Sequence, residues 1–274
     1  MVRRPRERPS RTPHWRAPFP NDNLSSPASA RKLPLMADPI LEPNYDPRSD
    51  GAMREAGAKL VRPRDAATLI VVRRDGAKPR VLMGRRHGGH DFMPGKWVFP
   101  GGRIDRSDFS APAASELKPE VAARLEKTAP PRRARALGLT AIRETFEETG
   151  LLLARPAPPR PGAGPWREFL EAGAAADLEA LDFIARAITP PYRPKRFDAR
   201  FFVADAERLV SLERRADCGE LDEIAWVELE ETGALDLPNI TRFVLQELVQ
   251  RLDEPGRPAP FMRFQRGARR LTHL

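Results

Sequence analysis

The segment LTAIRETFEETG, Leu139 to Gly150, places three acids, Glu144, Glu147 and Glu148, at spacings of three and four residues. The spacing predicts a helix, because Leu139, Ala141, Ile142 and Phe146 supply apolar positions and Gly150 is a natural stop. On that helix the carboxylates share a face, and like charges there cost roughly a few tenths of a kcal/mol per pair. They also crowd the negative end of the helix dipole, which favours cations. Arg143 can reach Glu147 one turn on, but one guanidinium does not neutralise three carboxylates. A further positive charge is expected at that face.

Upstream lies FPGGRIDRSD, Phe99 to Asp108. The Gly101–Gly102 pair follows a short apolar run and permits a tight backbone turn with exposed amides and carbonyls. Carbonyl and carboxylate oxygens together suit Mg²⁺ or Mn²⁺, which take oxygen ligands and keep waters for substrate phosphates. Arg85, Arg86, Arg193, Lys195 and Arg196 are candidate phosphate clamps. His87 and His90 flank two glycines and read as loop residues more than as a metal pair. No nucleophile triad and no Walker-type loop stands out.

These two segments resemble the Nudix hydrolases. The family's box reads Gly, five residues, Glu, seven residues, then Arg-Glu-U-x-Glu-Glu-x-Gly-U, with U usually aliphatic. Gly102 opens it and RETFEETGL, Arg143 to Leu151, closes it, with Thr145 at the first U. Asp108 stands where the family has Glu, and 34 residues separate Asp108 from Arg143. A long insertion here is similar to the branch containing the peroxisomal coenzyme A diphosphatases. FMPGKWVFPGG and KRFDARFF resemble that branch as well.

The resemblance implies an α+β Nudix fold, a mixed sheet packed between helices in an α/β/α sandwich. It implies metal-assisted hydrolysis of a diphosphate linked to another moiety. Glu147 and Glu148 would bind Mg²⁺ or Mn²⁺, with the Gly101 carbonyl as a further ligand. Glu144 would share a metal or act as the base, and Arg143 would orient the glutamates. A further acid from outside the box is expected, with Glu220 and Glu223 as candidates beside Asp108 at the box's first acidic position. Arg85, Arg86 and Arg196 would bind substrate. The substrate would be coenzyme A or an acyl-coenzyme A, or else ADP-ribose, a dinucleotide or a nucleotide sugar. A Nudix-fold module that binds a nucleotide without cleaving it is the reading from another class, and the complete set of glutamates argues against it.

The elements needed to position these residues can be read along the 274-residue chain. Its net charge of +9 is concentrated in residues 1–35, where eight cations face only Glu7 and Asp22 and seven prolines break any periodicity. That tail is expected to be disordered, with the natural start at Met1 or Met36. Charge confined to a tail argues against a nucleic-acid partner. One cysteine, Cys218, excludes a disulfide framework and suits a reducing cytoplasm. No apolar run reaches membrane-span length.

The expected organisation is an extension over 1–62, a hydrolase domain over 63–252 and a tail over 253–274 that can form a hairpin at Arg266-Gly267. Strands are predicted at Ala66–Gly76, Pro79–Arg86 and KWVFPGG, and later at RFDARFFVADA and LDEIAWVELEE. A helical pair is expected over Trp166–Ile188, and a final amphipathic helix at NITRFVLQELVQRL. The insertion, 110–137, holds one weak helix near Pro119–Lys127, and its prolines and charge suggest a flap over the site that shapes substrate choice.

Overall fold

The computed structural model describes residues 47–89, 93–213, 221–265 and 268–274. Strand β1, Arg64–Arg73, is apolar on both faces, because both faces are covered. Ala67, Leu69 and Val71 join one core and Ile70 and Val72 the other. β2, Arg80–Arg86, pairs antiparallel with it. The expected third strand forms as two short pieces. β3, Trp97–Val98, pairs with β2, and β4, Gly101–Arg103, pairs with β1. The turn between them leaves Gly101 and Gly102 on β1 rather than continuing along β2.

The insertion is not a flap. After β5, Ala113–Ser115, it forms α1, Pro119–Glu126, and its last residues belong to α2, Pro131–Thr149. Proline at the first helical position, where no amide partner is needed, starts both helices. Ala111, Val121, Leu125, Ala129, Ala134 and Leu137 are all buried, five of them in one core with Leu139, Ile142 and Phe146. Gly150 stops α2 with φ of 75°, a left-handed conformation that glycine adopts without strain.

Beyond α2 come β6, Ala154–Pro156, α3, Arg167–Glu171, and β7, Ala174–Asp177. β8, Asp182–Ile188, follows. The expected helical pair over Trp166–Ile188 is thus one short helix and two strands. Gly173, at φ of 72°, ends the helix, and the alanines after it pair between β5 and β6 despite their helix propensity. β9, Phe197–Asp205, β10, Leu221–Glu228, and α4, Asn239–Asp253, form where the sequence predicts them. The tail forms β11, Pro260–Gln265, and β12, Ala268–His273, an antiparallel pair whose connecting Arg266 and Gly267 lie outside the described residues.

Among the described residues the main sheet runs β10-β2-β1-β9-β8-β11-β12, with β3 on β2 and β4 on β1. β1 and β9 run parallel, as do β8 and β11, so the sheet is mixed. α2 packs on one face and α4 on the other, the α/β/α sandwich expected. β5, β7 and β6 form a separate small sheet.

Residues 47–62, grouped by sequence with the N-terminal extension, lie against the domain. Asp50 accepts from the backbone N and the side-chain amide of Asn239, both at 3.1 Å. Arg54 donates its backbone N to the Tyr192 carbonyl at 2.7 Å, and Arg196 Nη1 donates to the Val61 carbonyl at 2.8 Å. No helix among the described residues is long and apolar enough to cross a membrane.

Candidate active site

Two backbone features deliver the glutamates. β4 lies under α2, and Gly102 leaves room for Glu144, because a Cβ at position 102 would meet the Glu144 carboxyl carbon at 2.4 Å. Gly101 donates its backbone N to Glu148 Oε2 at 3.3 Å. A Cβ on Gly101 would strike the Ala67 carbonyl at 2.6 Å, so both glycines are fixed by close approach.

Arg143 is the hub. Its Nε and Nη2 donate to the two oxygens of Asp108 at 2.8 and 3.1 Å. Nη1 donates to Glu147 at 2.6 Å, and Nη2 lies 2.9 Å from Glu144 and donates to the Arg103 carbonyl at 3.0 Å. Burial disfavours its charge, but the bond to Asp108 and the fields of Glu144, Asp108 and Glu147 more than offset this and push its pKa above the ordinary value.

Asp108 is not a metal ligand in waiting. It is fully buried and every face is taken. Besides Arg143 it accepts from Thr140 Oγ1 at 2.8 Å, Trp166 Nε1 at 2.9 Å and the Asp105 backbone N at 2.8 Å. It holds Arg143, which in turn holds the glutamates. Asp105 and Asp108 cap the short helical turn at Arg106–Phe109 reciprocally. The Ser107 hydroxyl and amide keep the Asp105 carboxyl below the usual carboxylate range.

The site opens into a cleft of about 1810 Å³ that Gly101, Gly102, Glu144 and Glu147 line together with Arg86, Tyr192 and Phe264. Arg86 lies in this cleft with a buried Nε that has no hydrogen-bond partner among the described residues. Arg196 also lines it, but its guanidinium is committed to the carbonyls of Thr189 and Val61, so it braces the wall. Burial lowers its pKa.

Two expected residues are elsewhere. Arg85 and Glu223 are cross-strand partners on β2 and β10, 3.4 Å apart and outside the cleft. Strand alternation turns Arg85 away from the face that Arg86 occupies. Glu220, His90 and Cys218 lie outside the described residues. His87 lines the cleft mouth, with Nδ1 accepting from the Gly89 N at 3.0 Å.

Sequence reasoning missed the roles of Trp166 and Thr140 as Asp108 partners. Trp166 reads as core because most of it is core, packed edge-to-face on Phe169 with centroids 5.1 Å apart. The paired aspartates of DRSD carried the one visible signal, a capping pattern.

As they stand, no three acidic or imidazole groups among the described residues converge on one point. Arg143 occupies the space between Glu144 and Glu147 instead. The donor chemistry nevertheless fits a hard divalent cation. Three carboxylates, Asp108, Glu144 and Glu147, meet one guanidinium, Glu148 accepts from the Gly101 backbone N, and Glu144 and Glu147 face the cleft.

No family model matches the chain. Over 183 residues the chain is 27% identical to the Caenorhabditis elegans protein named nudix hydrolase 7, covering 61% of this chain and 52% of that one. Over 100 residues it is 39% identical to the acyl-coenzyme A diphosphatase NUDT19 of Gallus gallus, covering 27% of this chain and 25% of that one. The chain therefore spans about half the length of one curated relative and a quarter of the other. The crystal structure of a NUDIX hydrolase from Alicyclobacillus acidocaldarius shares 33% identity and a TM-score of 0.51, covering 70% of this chain and 93% of that one.

Proposed function

The chain belongs to the Nudix hydrolase family, and on that premise we propose that it hydrolyses a diphosphate linkage joining a nucleoside to another moiety, with coenzyme A or an acyl-coenzyme A as the leading substrate. The observation that carries this reading is the seating of Glu144 against Gly102, with Glu147 beside it, at the charged end of a cleft large enough for a nucleotide conjugate.

Glu147 and Glu148 would hold Mg²⁺ or Mn²⁺, with the Gly101 carbonyl as a further ligand. Such a cation lowers the pKa of bound water and offsets charge on the phosphoryl oxygens. Glu144 would share the metal or take the proton from the attacking water. Arg143 keeps Glu144 and Glu147 oriented through its ion pairs. Arg86, with its unpartnered buried Nε, supplies a donor for substrate phosphate. The partial likeness to a named acyl-coenzyme A diphosphatase supports the substrate choice.

The test is a mass-spectrometric screen of coenzyme A, acetyl-coenzyme A, ADP-ribose, diadenosine polyphosphates and nucleotide sugars, each with Mg²⁺ and with Mn²⁺. Metal-dependent cleavage within the diphosphate is expected, with coenzyme A species ranked first. No cleavage of any diphosphate with either metal would defeat the reading. Preferred cleavage of ADP-ribose would redirect the substrate.

A further inference from the structure

The insertion packs into the core, yet it sends one side chain to the cleft lining, and that side chain is a cation. Arg133 sits in the first turn of α2, half exposed. It precedes Glu144 by eleven residues, close to three full helical turns, so both project from one face of the helix. Its nearest acid is Asp65 at 3.6 Å, too far for a hydrogen bond. Asp65 is already engaged by Arg200, whose Nη1 donates to it at 2.7 Å. Arg133 therefore has donors to offer the cleft.

Arg86 supplies a second donor to the cleft, while three other lining cations are tied down. Arg143 serves the carboxylates, Arg193 donates to the carbonyls of Gly51 and Ala52, and Arg196 to those of Thr189 and Val61. Arg103 pairs with Ala66, on the face of β1 opposite to the one Gly102 and Glu144 share.

The position also sets a length. Asp65 and Ala67 are two residues apart on β1, roughly 7 Å. Ala67 pairs with Gly102, where the Glu144 carboxylate rests. A group held by Arg133 thus lies on the order of 10 Å from the glutamates.

We propose that Arg133 is a specificity residue that binds a phosphate monoester carried by the substrate outside its scissile diphosphate. The guanidinium fork matches phosphate oxygens bidentately. That distance leaves room for a ribose between two phosphates, as between the diphosphate and the 3′-phosphate of coenzyme A. ADP-ribose carries no such group. The inference rests on the diphosphatase reading for its biological meaning, but its binding test does not.

Adenosine 3′,5′-bisphosphate and adenosine 5′-monophosphate are titrated calorimetrically, without metal, into the parent protein, Arg133→Gln, Arg133→Lys and Arg103→Gln. The parent binds the bisphosphate at least roughly tenfold more tightly, the scale of one charge-assisted bidentate contact. That advantage falls to near unity in Arg133→Gln and survives in part in Arg133→Lys, whose retained charge also controls for folding. A parent with no preference, an advantage kept by Arg133→Gln, or one lost through Arg103→Gln instead overturns the inference. Kinetics on coenzyme A and its 3′-dephospho form run in parallel. If the parent cleaves neither but keeps the binding preference, the hydrolase reading fails and the Arg133 site stands.

Discussion

At the residue scale, presentation of the glutamates depends on two neighbours, Gly102 and Asp108. Gly102 makes room for the Glu144 carboxylate, and a Cβ there would lie 2.4 Å from its carbon. Glu144 is the mobile party, so Gly102→Ala is expected to fold and to displace it. Turnover should fall about a hundredfold, the cost of misplacing a reacting group by about 1 Å. Steady-state kinetics beside thermal unfolding check this, and parental kcat in a folded variant would refute it. Asp108 acts one step further back. Asp108→Asn puts an amide NH₂ among four donor groups and leaves Arg143 buried without its main partner. Breaking a buried ion pair costs about 3–5 kcal/mol. Urea unfolding should show a loss of that order, with activity falling too. The sequence alone placed Asp108 at the box's acidic position but not its role, because burial and the Trp166 bond come from a segment 58 residues away.

At the scale of elements, helices and strands that carry strong periodicity were legible and those that depend on partners were not. α4 and β1 announce themselves through apolar spacing. β7 and β8 do not, because an alanine-rich run has helix propensity and becomes strand only when β5, β6 and β9 are there to pair with it. The insertion misleads for a related reason. Its charge and prolines look like a surface flap, while Val121 and Leu125, four residues apart, form the narrow stripe by which α1 joins the core. Leu125→Ala should therefore cost about 2–5 kcal/mol, as buried leucines do, with little effect on KM. A loss below about 0.5 kcal/mol, the level of surface changes, would return the insertion to the surface. The start of α4 offers a second case. Pro238 gives it no side-chain cap, and Asp50 supplies one from across the chain by accepting from the Asn239 backbone N. Asp50→Ala should lose about 0.5–2 kcal/mol, the range for a missing N-cap. An unchanged denaturant midpoint would mean that residues 47–62 contribute no stability through this contact.

At the scale of the whole molecule, the cleft gathers residues from nearly every part of the fold, from Asp50 through Arg133 and Tyr192 to Phe264. Local patterns reveal the glutamate helix and the glycine turn, since those lie within short segments. The cleft wall is invisible to them, because only the β1–β9 and β8–β11 parallel pairings bring its parts together. The charge of this assembly gives a test independent of turnover. Asp108, Glu144 and Glu147 meet one guanidinium and Glu148 lies on the Gly101 backbone N, an excess of negative charge that a divalent cation would offset in the native state alone. Binding to the native state stabilises it by about 2.7 kcal/mol when free metal is a hundred times its Kd. For a chain of this size that corresponds to a rise in Tm of roughly 5–10 °C. Glu148→Gln keeps an acceptor for the Gly101 backbone N but loses the charge. Its Tm without metal sets the baseline, and most of the Mn²⁺-induced rise above it should vanish. Differential scanning fluorimetry across a Mn²⁺ series reads both quantities at once. A parental rise in Glu148→Gln would remove this residue from the metal site, whatever the variant does to catalysis.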